Sequence, residues 1–184
     1  MYGLVNRAIE ELVCTHFGEA TWEAIRTEAA VDTEVFVSME PYSDEVTYQL
    51  VGAASRILDM PAENILITFG EYWILYTAKE GYGELLKMAG NTLPEFLLNL
   101  DNMHARLGLL YPELRPPSFQ CTEMTASGML LHYRTHREGM APLVVGLLQG
   151  LSKMFSTELT IEHVQKRHVN GDHDVFRLTY CSMN

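Results

Sequence analysis

The spacing of apolar positions changes part-way along the chain. Up to about residue 108 they recur every three to four residues, the period of an α-helix, and beyond about residue 118 they alternate, as in strands. Leu4, Val5, Ala8, Ile9 and Leu12 share one face of a helix predicted over roughly 2–16, and a second helix follows over roughly 20–29. Residues 44–58 make a third, with Val46, Leu50, Ala53, Ala54 and Ile57 on one side. Pro61 suits the first turn of a fourth, over 62–78, and 81–90 forms a shorter one closing on Gly90. The best-formed helix covers 93–108, with Pro94 near its start and Gly108 as its stop.

"YPELRPPSFQ" (111–120) is expected to be irregular, because Pro116 and Pro117 deny helix on both sides. Strands are predicted over 119–125 and 128–137, a helix over 141–155, and a second hairpin over 158–169 and 174–181 turned at "NGDH". The fold class is therefore α+β. Helices come first and a strand–strand–helix–strand–strand unit follows, giving a small antiparallel sheet of four strands, all within one domain.

Charge and cysteine content narrow the function classes. The 184 residues hold 13 Lys plus Arg against 24 Asp plus Glu, a net charge of -11, which argues against nucleic acid and anionic membrane surfaces as partners. No apolar run reaches the ~18 residues of a membrane span, and the N-terminus lacks the basic start and small-residue cleavage site of a signal peptide. Cys14, Cys121 and Cys181 are odd in number and scattered, which fits reduced thiols and a cytoplasmic location.

His104 stands out within the helix at 93–108. Leu93, Phe96, Leu97, Leu100, His104 and Leu107 form its apolar stripe, so an imidazole sits among leucines. A core histidine satisfied by a backbone carbonyl is one reading. A metal ligand is the other, its second ring nitrogen held by an acceptor. One His without Cys, Asp or Glu on the same face does not make a zinc site. It does make a haem proximal site, because the porphyrin supplies four nitrogens itself.

"YRTHR" (133–137) gives that reading a second support. On a strand, Tyr133, Thr135 and Arg137 face the same way, roughly 7 Å apart in a row of about 14 Å. Two hydroxyls and a guanidinium fork would suit the propionates of a haem, although a solvated strand face is the bland alternative.

With these residues the chain resembles the haem nitric oxide/oxygen binding (H-NOX) domains, bacterial relatives of the soluble guanylate cyclase haem domain. The likeness runs nearly end to end, through "YSDEVTYQLVGAAS", "FGEYWILYT", "LPEFLLNLDNMHAR", "LRPPSF" and "LHYRTHREGM". It implies a helical N-terminal lobe of about residues 1–60 and a haem-ligating αβ lobe of about 61–184, with haem b (iron protoporphyrin IX) between them, His104 as proximal iron ligand, and a Tyr-x-Ser-x-Arg propionate motif at Tyr133, Thr135 and Arg137. Thr135 departs from the family's Ser; its hydroxyl can make the same bond, but its methyl needs room. Pro117 would press against the porphyrin, though a plain turn explains the proline pair equally well.

The resemblance also implies a distal side. Relatives that hold oxygen place a Tyr where this chain has Leu143, counted back from Gly146. Trp73 is the nearby residue with an N–H, with core packing beside Tyr72 and Leu75 as its other reading, and Val5 completes the pocket. An apolar pocket favours nitric oxide, with carbon monoxide, over oxygen. The implied function is a sensor rather than an enzyme, signalling in trans through loss of the iron–histidine bond to a histidine kinase or a diguanylate cyclase-type protein. A peroxidase or nitric oxide dioxygenase is the alternative, and the former would want a distal His or Arg that the stretch around Leu143 does not offer. His163, His168, His173 and Cys181 do not have the spacing of a zinc ligand set. Cys121 reads as a small buried hydrophobe.

Overall fold

The computed structural model describes residues 1–77 and 82–182. Among them, seven helices and four strands follow in order: α1 (Gly3–Phe17), α2 (Glu19–Glu28), α3 (Asp44–Ile57), α4 (Ala62–Thr77), α5 (Gly83–Ala89), α6 (Leu93–Leu110), β1 (Ser118–Thr122), β2 (Gly128–Arg134), α7 (Ala141–Met154), β3 (Thr157–Gln165) and β4 (Asp174–Ser182). The helix-then-sheet order is the α+β arrangement expected. Ala78 and Gly81, which the apolar pattern assigns to the facing ends of α4 and α5, lie outside the described residues.

Local chemistry sets the helix starts. Ser43 caps α3, its hydroxyl accepting from the Glu45 amide, and Asp44 and Glu45 place negative charge at the positive end of the helix. Thr92 caps α6 by accepting from the Glu95 amide, while the Glu95 carboxylate reaches back to the Asn91 amide at 3.0 Å. Pro61 is not inside α4 but just before it, where its carbonyl accepts from the Asn64 and Ile65 amides.

Two boundaries differ from expectation in ways that matter for the site. Gly108 does not stop α6; the helix runs to Leu110 and ends where Tyr111, constrained by the following Pro112, turns extended. β2 stops at Arg134, so Thr135 and Arg137 are not strand residues and the alternating row of three does not form. The reason is register. Arg134 pairs with Ser118, the first residue of β1, beyond which Pro117 has no N–H to give; Tyr133 pairs with Asp174, the first residue of β4. Past Arg134 no neighbouring strand remains on either side.

The sheet order is β1-β2-β4-β3, antiparallel throughout. Met129, Leu131 and Tyr133 of β2 point into the core beside Phe176 and Leu178 of β4. On α3, Val51 takes the buried place expected for Ile57, which is 38% exposed near the helix end.

α4 and α7 cross in close contact because glycines remove the intervening side chains. A Cβ on Gly146 would stand 2.0 Å from the Ile67 carbonyl oxygen, and one on Gly70 would stand 2.3 Å from that of Leu143. Gly146→Ala must push the helices apart and should cost about 1–3 kcal/mol in chemical denaturation. Gly108→Ala meets nothing within 4 Å in the last turn of α6 and should gain about 0.5–1 kcal/mol. Equal midpoints for both variants would show that the α4–α7 contact yields freely.

Candidate functional site

A cavity of about 340 Å³ opens between α1, α4, α6, α7 and the start of the sheet, within the usual range for ligand pockets of roughly 300–1,000 Å³. Val5, Trp73, His104, Pro117, Tyr133, Thr135, Arg137 and Leu143 all line it. Eight residues drawn from six separate stretches of sequence thus share one cavity. Apart from one polar end, the lining is leucine, methionine, phenylalanine and similar side chains.

His104 and Leu107 are half-buried, not core residues, because their side of α6 faces this cavity rather than packed protein. His104 Nδ1 stands 3.2 Å from the Pro117 carbonyl oxygen. A carbonyl can only accept, so Nδ1 carries the proton and donates, and Nε2 keeps its lone pair. Nε2 makes no hydrogen bond among the described residues. Burial pushes the imidazole pKa down, against smaller upward pulls from the Pro117 carbonyl and Asp101. His104 is therefore a neutral base presented to an apolar space.

Asp101, one turn earlier on α6, fixes that presentation. Its carboxylate accepts from the Phe119 amide at 2.6 Å and the Ser118 hydroxyl at 3.0 Å, tying α6 to the start of β1. Phe119 stacks on Tyr133 with ring centroids 5.2 Å apart and lies 5.9 Å from the His104 ring.

The polar end is built by the loop after β2. Tyr133 is buried, and burial pushes its pKa up to about 12, so its phenol stays protonated. The Thr135 hydroxyl accepts from the Arg137 amide at 3.1 Å, and the Thr135 carbonyl accepts from Arg167 at 2.8 Å. Arg137 is held from α3: Nε and Nη2 donate to the Asp44 carboxylate at 2.9 and 3.1 Å, and Nη1 donates to the Arg115 carbonyl at 2.9 Å. Three of its five N–H bonds are engaged, which leaves one on each terminal nitrogen for a ligand. Sequence reading misses Asp44. "YSDEV" reads as a helix start, and nothing local marks a partner 93 residues away.

Trp73 both lines the cavity and packs, stacked on Tyr76 at 6.3 Å and edge-on to Phe69 at 6.2 Å. Its companion Leu75 points outward, 53% exposed. Elsewhere His163 pairs with Asp174 at 2.8 Å, and His173 lies 2.9 Å from His132. Among the described residues no three His, Cys, Asp or Glu are grouped to hold a metal ion. The Cys121 thiol, pushed up to about 11 by burial and then by Asp101, is unreactive at neutral pH. No helix among the described residues is long and apolar enough to cross a membrane.

The donor set fits a haem: a free imidazole nitrogen in an apolar slot, with hydroxyls and a guanidinium at one end. The sequence pattern of the family described as "Haem-NO-binding" matches residues 2–163. This chain belongs to that family. Solved haem-NO-binding folds superpose closely. An H-NOX protein from S. oneidensis in the Fe(II)NO ligation state aligns over 99% of this chain and 100% of its own, with TM-score 0.89 and 20% identity. The Fe(II) unliganded H-NOX protein from K. algicida aligns over 100% and 98%, with TM-score 0.87 and 23% identity. In sequence, the soluble guanylate cyclase gcy-31 of Caenorhabditis elegans is 30% identical over 186 residues, covering 100% of this chain and 26% of its own length. The chain thus spans about a quarter of that relative.

The Asp44 carboxyl gives a pH signature. Burial alone would raise its pKa, but hydrogen bonds from the Met1 ammonium and Arg137, with their charges, lower it from 3.8 to about 2. A depressed folded-state pKa stabilises above the unfolded value and is lost as pH falls. Stability of the parent should therefore decline between about pH 4 and pH 2, and Asp44→Asn should flatten that decline in urea titrations. Because the pair is only half-buried, the loss at pH 7 should stay near ~1 kcal/mol or less.

Proposed function

We propose that the cavity holds haem b, that His104 Nε2 is its protein ligand, and that the domain senses nitric oxide. The observation that carries this reading is the His104–Pro117 hydrogen bond, which leaves a neutral, unengaged Nε2 facing an apolar cavity. When bound, ferrous haem would supply the site for nitric oxide and carbon monoxide.

The chain supplies the rest. Tyr133, Thr135 and the free N–H groups of Arg137 receive the propionate edge, and Pro117 bounds the plane on the His104 side. Leu143 and Val5 keep the opposite side apolar. Leu143 has no hydroxyl to donate, so bound oxygen gains little there, whereas nitric oxide needs no donor. Trp73 N–H is the group on α4 that could partly offset this.

His104 joins α6 to the haem near the middle of the helix. Were the haem to let go of His104 on binding nitric oxide, α6 would lose that attachment and could relax against β1, to which Asp101 ties it. The lobe of about residues 1–60 then shifts against that of about 61–184, a two-state element biased by ligand. We assign the output to a partner in trans, a histidine kinase or a diguanylate cyclase-type enzyme in the cytoplasm, and the role to sensing rather than catalysis.

Three measurements test this. The purified ferrous protein should show a Soret band, and His104→Gly should retain haem only with added imidazole; unchanged ligation in that variant would remove His104 from the role. Nitric oxide should give a five-coordinate absorption spectrum, and a wholly six-coordinate one at every concentration would place the signal elsewhere. In air the parent should form no lasting oxygen complex, while Leu143→Tyr should gain one. A stable oxygen complex in the parent would transfer the donor role to Trp73.

A further inference from the structure

A second, polar cavity of about 450 Å³ adjoins the apolar one. The two share Met1, Tyr2, Leu114, Arg115 and Arg137, so the polar cavity forms a vestibule at the end where Tyr133, Thr135 and Arg137 lie. Its charged and titratable groups are Asp44, Glu113, Arg115, His136 and Arg137, with the phenols of Tyr2 and Tyr42 and the Met1 ammonium, which is already spent on the Asp44 carboxylate and the Tyr42 carbonyl.

These groups are not equally available. Asp44 and Arg137 bind each other, and His136 Nε2 lies 3.4 Å from the same Asp44 carboxylate. Arg115 is different. Its backbone carbonyl accepts from Arg137, but its guanidinium makes no hydrogen bond or ion pair among the described residues. Pro116 and Pro117 follow directly, and a residue before proline is held out of the helical region, so the backbone presenting this side chain is stiff. Arg115 therefore brings a full five-donor fork to the boundary between apolar slot and vestibule.

A haem has two carboxylates on one edge. Arg137, with its fork already turned to Asp44, has two N–H bonds left, and with Tyr133 and Thr135 it can satisfy one carboxylate. We infer that Arg115 anchors the second, through a charge-assisted bidentate contact at the vestibule mouth. This rests on the haem reading given above.

The test is the rate at which haem passes from the protein to excess apomyoglobin, followed by absorption. Arg115→Ala leaves the backbone carbonyl on Arg137 in place and should speed haem loss about three- to tenfold, with Arg115→Lys in between. Combined with Arg137→Ala, the two effects should multiply, as separate carboxylates require. Haem dimethyl ester, which lacks both carboxylates, should leave the parent and Arg115→Ala at the same rate. Loss of ordinary haem from Arg115→Ala no faster than from the parent would overturn the inference. So would faster loss of the dimethyl ester from that variant, since the side chain would then act through packing. A parent that takes up no haem overturns the functional reading itself, a result distinct from either.

Discussion

A proline carbonyl and an imidazole nitrogen 3.2 Å apart decide which atom of His104 the cavity meets. Neutral imidazole has one donor and one acceptor, and whichever nitrogen is spent on the carbonyl leaves the other exposed in the opposite role. Because Pro117 can only accept, the exposed nitrogen is the one with the lone pair. The carbonyl is itself held in place. Pro116 and Pro117 restrict the backbone, and Asp101 clamps the next two residues, Ser118 and Phe119, to α6 one turn from His104. Helix, imidazole and proline segment thus form a small closed circuit, and the cavity inherits its chemistry from it.

The polar end depends on a longer-range contact. Arg137 sits in a bend without ladder hydrogen bonds, and Asp44 on α3 gives its guanidinium a fixed orientation through two parallel contacts. The same carboxylate draws in His136. Any anionic ligand at this end meets a guanidinium already half-neutralised, so its affinity there reflects competition with a protein carboxylate as well as attraction to the arginine.

Much of this was legible from spacing alone. The helical stripe through Leu93 and Leu100 placed His104 on an inward face, and alternation in "YRTHR" grouped Tyr133 with Thr135 and Arg137, although those two lie past the end of the strand. The resemblance then gathered Val5, Trp73, Pro117 and Leu143, which the fold brings to one cavity. What spacing could not supply was pairing information. The end of β2 depends on where β1 and β4 begin, which is a property of three strands together. Gly108 looked like a stop, but the chain makes no left-handed turn there and stays helical to Leu110. Asp44 and Arg137 are each ordinary in their own segments; only the assembled fold makes them partners.

The cavity's walls come from α1, α4, α6, β2 and α7, and this has a consequence for synthesis. Leu143 leaves the ribosome 138 residues after Val5, a delay of roughly 7 to 28 seconds at ordinary elongation rates. In that interval α2 and α3 can cover Ala8, Ile9 and Leu12 on α1. Leu4 and Val5 have no such shelter, because what they face is the space that α6 and α7 later enclose. A prosthetic group cannot be gripped between walls of which one is unmade. Whatever occupies the cavity can be enclosed only after α7 is made, and until then the apolar side chains of α1 that line it stay open on that side.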